Sequence, residues 1–159
     1  MHNSAPRNRF AFPRRILLIS AASLVVAMTS SGCNSSSLLT DSPTAASEAM
    51  TRGLKAVDEK SWETADSELT TAIESQALSR EAYEEALAAR TQVRLESDDL
   101  DGAEEDLSFL ENSDSPSKPD RILVLKASLK LKQGDKPEAK KLFLLAKKIN
   151  KDVKAPVGL

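Results

Sequence analysis

The stretch GDKPEAKKLFLLAKKI, residues 134–149, has the apolar spacing of an amphipathic helix. Its apolar side chains recur at intervals of three and four residues, so they share one face of a helix with 3.6 residues per turn. Gly134 suits the left-handed end of a preceding helix, and Asp135 with Glu138 predicts a capping box. The stretch therefore predicts a helix that follows a tight turn. The residues on its apolar face are Ala139, Leu142, Phe143, Ala146 and Ile149.

Two earlier segments repeat this pattern. They are KSWETADSELTTAIE, which begins at Lys60, and DDLDGAEEDLSFLE, which begins at Asp98. Each segment opens with a polar turn, and a helix-like stretch precedes each of the three, at about 46–59, 79–97 and 120–133. Ser117 with Asp120 predicts a further capping box before the last of these stretches. Each segment pairs an alanine with a large apolar residue four positions later: Ala65 with Leu69, Ala103 with Leu107 and Ala139 with Phe143.

The repeated pattern predicts an all-α fold of about three stacked helical hairpins. A single hairpin cannot bury its apolar face, whereas stacked hairpins share a core. We expect truncation of Phe143 to Ala to cost about 3–5 kcal/mol, as for other buried aromatic residues. A generic helical bundle is the alternative that the same pattern allows. The expected core residues are Trp62, Leu69, Tyr83, Leu107, Leu125 and Phe143.

Residues 46–150 resemble tetratricopeptide (TPR) repeats, in which small residues let the two helices of each unit pack closely. The resemblance implies a right-handed stack of hairpins that binds proteins in a groove lined by the first helix of each unit. Some family members clamp a terminal carboxylate with Lys and Asn residues, and these are missing here, which disfavours a chaperone-tail adaptor. The small residues that carry the resemblance are Gly53 with Ala65 and Ala127 with Ala139, and the middle unit has Thr91 with Ala103.

The resemblance implies nine groove positions. They form a mildly apolar set, which suits a helix or an extended peptide as the bound partner. The alternative is that several of these side chains pack in the core. The nine candidates are Met50, Leu54, Val57, Ala88, Gln92, Leu95, Val124, Ser128 and Leu131.

Residues 1–32 have the three-part pattern of an export signal. Four arginines precede an apolar run at 16–28, and small residues follow it. The run is shorter than the roughly 20 residues that a membrane-spanning helix needs. SSGC, residues 30–33, resembles the lipobox of bacterial lipoproteins. This resemblance implies that the signal is cleaved and that Cys33, the only cysteine, carries acyl chains such as palmitate; an unmodified structural cysteine is the alternative.

The polar residues 33–45 predict a flexible tether between the anchor and a helical domain at 46–150. Residues 151–159 predict a flexible tail. Lipoproteins retained at the inner membrane tend to carry Asp after the cysteine, so Asn34 implies the outer membrane, with the body facing the periplasm.

The charge of the chain is segregated along its length. Residues 34–114 carry 20 acidic and 6 basic residues, a net charge of −14, whereas residues 115–159 carry 4 acidic and 12 basic residues, a net charge of +8. Two interpretations stay open: solvated helix faces, or a dipolar molecule whose basic end meets an anionic partner. We expect no nucleic-acid partner, because the lysines have no interleaved aromatic residues on which bases could stack.

The sequence predicts no enzyme. The only histidine, His2, lies in the signal, so the mature chain has no imidazole, and its one cysteine would be acylated. That excludes Ser–His–Asp and Cys–His catalysis and the usual zinc sites. We also expect no bound cofactor, because no glycine-rich phosphate loop occurs. The remaining carboxylates have the spacing of exposed helix faces.

The acidic run 97–106 predicts no calcium site. Asp99 and Asp101 fit a calcium loop, but Ser97 and Ser108 stand where two principal ligands should be.

The predicted anchor, tether and helical repeats together favour a membrane-anchored scaffold or adaptor that binds proteins in the cell envelope. The alternatives are a structural lipoprotein that associates with itself, acidic middle against basic end, and an envelope hydrolase.

Overall fold

A computed structural model describes residues 42–113 and 115–159, in which all regular secondary structure is helical, as the sequence predicts. The predicted signal 1–32, Cys33 and the predicted tether up to residue 41 lie outside the described residues. None of the described helices is both long enough and apolar enough to cross a bilayer. The six helices are α1 Pro43–Asp58, α2 Trp62–Glu74, α3 Arg80–Glu96, α4 Leu100–Glu111, α5 Pro119–Lys132 and α6 Lys136–Ile149.

The helices pair as three hairpins: hairpin 1 is α1–α2, hairpin 2 is α3–α4 and hairpin 3 is α5–α6. The second helix of each hairpin contacts the first helix of the next, α2 against α3 and α4 against α5. The first helices also contact one another in series, α1 with α3 and α3 with α5. Each hairpin thus covers the next, which is how repeated units that cannot fold alone build a shared core.

The three hairpin turns have the same backbone conformation. In each, one residue adopts a left-handed φ: 57° at Lys60, 62° at Asp98 and 84° at Gly134. The next N–H donates to a carbonyl five residues earlier, which closes the helix with a Schellman motif. Equivalent positions in successive hairpins are therefore 38 and 36 residues apart, the spacing of the repeated alanines. The three hydrogen bonds are Ser61 to Ala56, Asp99 to Arg94 and Asp135 to Lys130.

The two helices of hairpin 1 lie close together at Gly53. A Cβ atom at this position would lie 2.7 Å from Leu69 Cγ, so only glycine fits without a shift of Leu69. The two positions are 16 residues apart in sequence. Because the turns are alike, the same separation relates Thr91 to Leu107 in hairpin 2 and residue 127 to Phe143 in hairpin 3.

One hydrophobic core runs from α1 to α5, and a smaller one lies inside hairpin 3. Leu69, Leu107 and Leu125 are buried in the first core, as predicted. Trp62 and Tyr83 are half-buried at its edge.

Phe143, which the sequence predicts to be a core residue, is less buried than predicted. Its ring is half-buried against the smaller core, because no further hairpin of the described chain covers α6. The expected cost of about 3–5 kcal/mol for Phe143→Ala, which applies to fully buried aromatic side chains, is therefore too high.

Two helix starts differ from the predictions. Helix α1 begins at Pro43, where Ser42 accepts a hydrogen bond from the N–H of Ala45, so the last residues assigned to the tether are helical. Helix α5 has Lys118 at its N-cap and no side-chain cap, because Ser117 bonds the carboxylate of Glu84 on α3 instead.

The predicted start of α6 is confirmed in part. The Asp135 carboxylate accepts a hydrogen bond from the N–H of Glu138 at 3.1 Å, which caps the helix. The Glu138 side chain pairs with Lys141, so it does not complete the capping box. Residues 151–159 follow α6 without regular secondary structure.

Candidate protein-binding surface

The predicted groove residues lie on the three first helices in a common register. Because α1, α3 and α5 lie side by side, equivalent positions follow one another across the three helices. The outer two helices contribute half-buried side chains, and Gln92 on α3 is exposed. We define these residues as the candidate surface, hereafter the first-helix face. It consists of Met50, Leu54, Val57, Gln92, Val124, Ser128 and Leu131.

Two predicted groove residues do not belong to this face. Ala88 is 4% exposed and Leu95 is 3% exposed, so neither has enough free surface to contact a partner. Both pack in the main core. Ala88 and Leu95 are buried because α3 lies between two other first helices, α1 and α5. In the described chain, α1 and α5 each contact only one other first helix, α3. The alternative that some of these side chains pack in the core is correct for these two residues.

The side chain of Glu84, at the start of α3, holds the loop between α4 and α5. Its carboxylate accepts hydrogen bonds from the Ser117 hydroxyl at 2.6 Å, the Ser117 N–H at 2.8 Å, the Ser113 hydroxyl at 3.0 Å and Arg80 Nε at 3.1 Å. Arg80 also donates to the carbonyl oxygen of Ser115. No sequence pattern points to this network, because the local sequence assigns Ser117 to the cap of α5.

Hydrogen bonds to Glu84 stabilise its charged form. Those from the Ser117 hydroxyl and N–H contribute most, and together with Arg80 and Ser113 they lower the pKa of Glu84 from 4.5 to about 2. The neighbouring carboxylate of Glu85 pairs with Lys118 and Arg121 at the start of α5. Burial would raise the pKa of Glu85, but these two cations outweigh burial and lower it.

A small hollow lies between the start of α3 and the start of α5. Glu84, Glu85 and Arg121 line its polar side, and Ala88 with Ile122 lines its apolar side. Its interior has room for about one water molecule. It is too small for an organic ligand, and its charged groups are already paired with one another.

The carboxylate of Asp106 on α4 is completely buried and paired with two arginines of α3. Arg90 donates to both oxygens, from Nη2 at 2.7 Å and from Nε at 3.0 Å, and Arg94 Nη1 lies 3.1 Å from Oδ1. Arg90 also donates to the Thr70 hydroxyl of α2 at 3.0 Å. Burial would lower the pKa of Arg90, but the hydrogen bond and the charge of Asp106 raise it overall.

Arg94 ties the same cluster to hairpin 1 and to the turn of hairpin 2. It donates to the Gly102 carbonyl at 2.9 Å and lies 3.4 Å from Asp66 on α2. Asp99, which caps α4, lies 3.7 Å from it. The cluster therefore joins three helices, and Asp66, Arg94 and Asp99 line an open surface hollow beside Trp62.

Sequence reasoning missed Asp106 and Glu84, since it placed the carboxylates on exposed faces. A signal was present for Asp106. Arg90 and Asp106 are 16 residues apart, and Arg52 and Glu68 in hairpin 1 have the same separation and also pair, at 2.8 Å. In hairpin 3 the equivalent positions hold Lys126 and Leu142. No comparable signal pointed to Glu84, whose partners lie in a loop 29–33 residues away.

Within the described ranges, no three His, Cys, Asp or Glu side chains converge as metal ligands would. In the acidic run 97–106, Asp98 pairs with Lys132 and Asp99 caps α4. Comparison of the chain with protein-family models, curated proteins and solved structures gives no match.

Proposed function

We propose that the chain is a lipoprotein of the bacterial envelope whose helical hairpins form a right-handed TPR-like stack and bind other proteins as a scaffold or adaptor. In this proposal Cys33 carries the acyl chains and holds the body at the outer membrane, facing the periplasm. The observation that carries the proposal is the threefold recurrence of one hairpin, with the same turn and register each time. Stacked hairpins of this kind provide an extended surface on their first helices.

The first-helix face has the chemistry of a peptide-binding surface. Its aliphatic side chains are half-exposed at the two outer helices, and exposed Gln92 lies between them as a hydrogen-bonding group. An amphipathic helix or an extended peptide could place apolar residues against the two aliphatic patches. The buried arginine–aspartate cluster fixes α3 against α2 and α4, so the central helix of the surface is rigid before a partner arrives.

The anchor is tested by the intact mass of the full chain extracted from bacterial membranes. The proposal predicts the mass of a chain that begins at Cys33 plus two or three acyl groups, because one chain alone gives only marginal membrane binding. A Cys33→Ser variant is expected to retain residues 1–32. An extracted chain that keeps its leader and carries an unmodified thiol contradicts the anchor.

Contact through the first-helix face is tested by site-specific photocrosslinking in intact cells. A photoreactive amino acid at Gln92 is expected to give a discrete crosslinked protein band. The matched control is the same probe at Thr71, an exposed position on the second helix of hairpin 1. Equal labelling from both positions, or none from Gln92, contradicts binding at this face.

A further inference from the structure

The second helices of the described chain have equivalent faces, of which α3 covers the one on α2 and α5 covers part of the one on α4. On α2, Asp66 pairs with Arg94 and Thr70 accepts a hydrogen bond from Arg90, so α3 covers this face. On α4, Glu111 pairs with Lys126 of α5, but Glu104 and Ser108, which stand where α2 has Asp66 and Thr70, are exposed, so α5 covers only the C-terminal part of this face. In both cases a basic side chain of the covering helix pairs with a side-chain oxygen of the covered helix.

The equivalent face of α6 is exposed and has the opposite charge. The shared hairpin register places Lys140 where α2 has Asp66, Leu144 where it has Thr70, and Lys147 where α4 has Glu111. Leu144 is 52% exposed. Phe143 is half-buried, and the ammonium of Lys147 lies 5.8 Å from the centre of its ring. The residues equivalent to Phe143, Leu69 and Leu107, are 0% and 2% exposed.

The C-terminal residues border this face but do not cover it. Ala155, Gly158 and Leu159 lie beside Phe143 and Leu144, yet Leu144 stays half-exposed and Leu159 is 42% exposed. The end of the stack therefore keeps an apolar strip between two lysines. We define the α6 end face as Lys140, Phe143, Leu144 and Lys147.

We propose that the α6 end face docks an acidic amphipathic helix of a partner protein, seated as α3 is seated on α2. The covered face of α2 shows that a helix fits this position, and the lysines require that the helix carry carboxylates where α3 carries Arg90 and Arg94. This inference deepens the proposed adaptor function and rests on it for its biological setting.

Charge disfavours the two other occupants that the chain itself could supply. A second copy continuing the stack would place its α1 on α6. Helix α1 has Arg52 at the position of Arg90, so it would set an arginine against the lysines. Residues 1–33 carry four arginines and no acid, so the leader is no better match.

The test uses a synthetic helix derived from the chain's own covering helix. The probe is a fluorescent peptide of residues 79–97 with Arg90→Glu and Arg94→Glu, and its control is the unchanged 79–97 peptide. Binding to the full chain in a non-ionic detergent is measured by anisotropy. We expect the acidic peptide to bind at least about tenfold more tightly than the control peptide.

Charge reversal in the protein separates this docking from non-specific attraction. The double variant Lys140→Glu with Lys147→Glu is expected to reverse the preference, so that the arginine peptide binds about tenfold more tightly. The matched control, Lys55→Glu with Lys60→Glu, changes the net charge equally on hairpin 1 and is expected to keep the wild-type preference. An unchanged preference in the Lys140/Lys147 variant, or an equal loss in the Lys55/Lys60 control, overturns the proposal.

The apolar strip is tested separately from the lysines. Leu144→Asp places a carboxylate in the centre of the α6 end face and removes its most exposed aliphatic side chain. We expect this variant to bind the acidic peptide about tenfold more weakly than the wild type. Undiminished binding by Leu144→Asp would mean that the peptide does not lie on this strip, which overturns the proposal.

Two further measurements distinguish other occupants. A full-chain dimer in sedimentation that dissociates on Leu144→Asp would mean that a second copy covers the face, which overturns the proposal. Vesicles of phosphatidylglycerol and phosphatidylethanolamine that bind through Lys140 and Lys147, with no peptide binding, overturn it as well. Crosslinking from Gln92 reports the first-helix face separately, so failure of the adaptor function and failure of this docking give different results.

Discussion

Hairpins 2 and 3 have the same backbone design but are held together differently at the same place. At the two positions 16 residues apart, hairpin 2 has Arg90 and Asp106, which are 11% and 0% exposed. Hairpin 3 has Lys126 and Leu142 there, and Lys126 turns instead to Glu111 of hairpin 2. The middle unit is thus joined by a buried ionic cluster, whereas the end unit relies on a small apolar core. The same hairpin backbone accommodates an ionic pair or an apolar residue at these positions, because the spacing of the two helices along the chain is the same in both hairpins.

The largest effect is expected at the buried carboxylate. Asp106→Asn removes the charge that compensates Arg90 and Arg94, so we expect the free energy of unfolding to fall by about 3 kcal/mol or more. The control is Glu68→Gln at the equivalent, more exposed position of hairpin 1, where the loss should stay below about 1 kcal/mol. Urea unfolding followed by circular dichroism measures both. Equal losses of unfolding free energy in the two variants would mean that the burial of Asp106 does not make it more important than Glu68.

The next effect compares equivalent core positions in the two hairpins. Leu107→Ala in hairpin 2 should cost about 2–4 kcal/mol, because Leu107 is buried on all sides. Phe143→Ala should cost about 1–2 kcal/mol, although phenylalanine is the larger side chain, because Phe143 is only partly buried. Thermal and urea unfolding of the two variants test the order. A larger loss for Phe143→Ala would show that α6 is better covered than the exposure of its ring indicates.

A third, pH-dependent effect concerns the contact between hairpins 2 and 3. Because hydrogen bonds lower the pKa of Glu84 to about 2, the folded state favours the ionised form. The stability from this shift is present above pH 4.5 and is lost as the pH falls from there towards 2. Ser117→Ala removes one donor to Glu84, so the variant should lose less unfolding free energy than the wild type as the pH falls through this range. Parallel pH profiles of unfolding free energy for wild type and Ser117→Ala would contradict this role of Glu84.

The smallest effect concerns the hairpin turns. Lys60 adopts a left-handed φ that costs a residue with a Cβ about 1 kcal/mol, so Lys60→Gly should stabilise the chain by about 0.5–1 kcal/mol. Gly134→Ala, at the equivalent position of hairpin 3, should destabilise it by about 1 kcal/mol. Changes in urea midpoint of opposite sign support the common turn, and changes of the same sign contradict it.

The hairpins could be predicted from the sequence because their signals are local. Apolar periodicity located the six helices, and Gly134 and Asp135 marked the turn before α6. Lys60 and Asp98 adopt the same left-handed conformation without glycine, and the sequence predicted only a polar turn at these two positions.

The remaining features depend on contacts between hairpins. Ser117 has a capping sequence, but the carboxylate of Glu84 competes for it across the hairpin boundary. The position of Leu95 in its helix resembles that of Leu131 and so predicts a surface residue, yet the flanking helices bury it. The exposure of Phe143 likewise depends on the absence of a following hairpin in the described chain.

The central claim is that a buried ionic cluster stabilises hairpin 2, whereas no helix of the described chain covers α6. Amide hydrogen exchange of the native chain tests this claim most directly. We predict that α6 amides exchange through a partial opening that costs less free energy than global unfolding, while α3 and α4 amides exchange only on global unfolding. Asp106→Asn should then lower protection in α3 and α4 more than in α6. Protection in α6 equal to that in α3 and α4 would contradict the account.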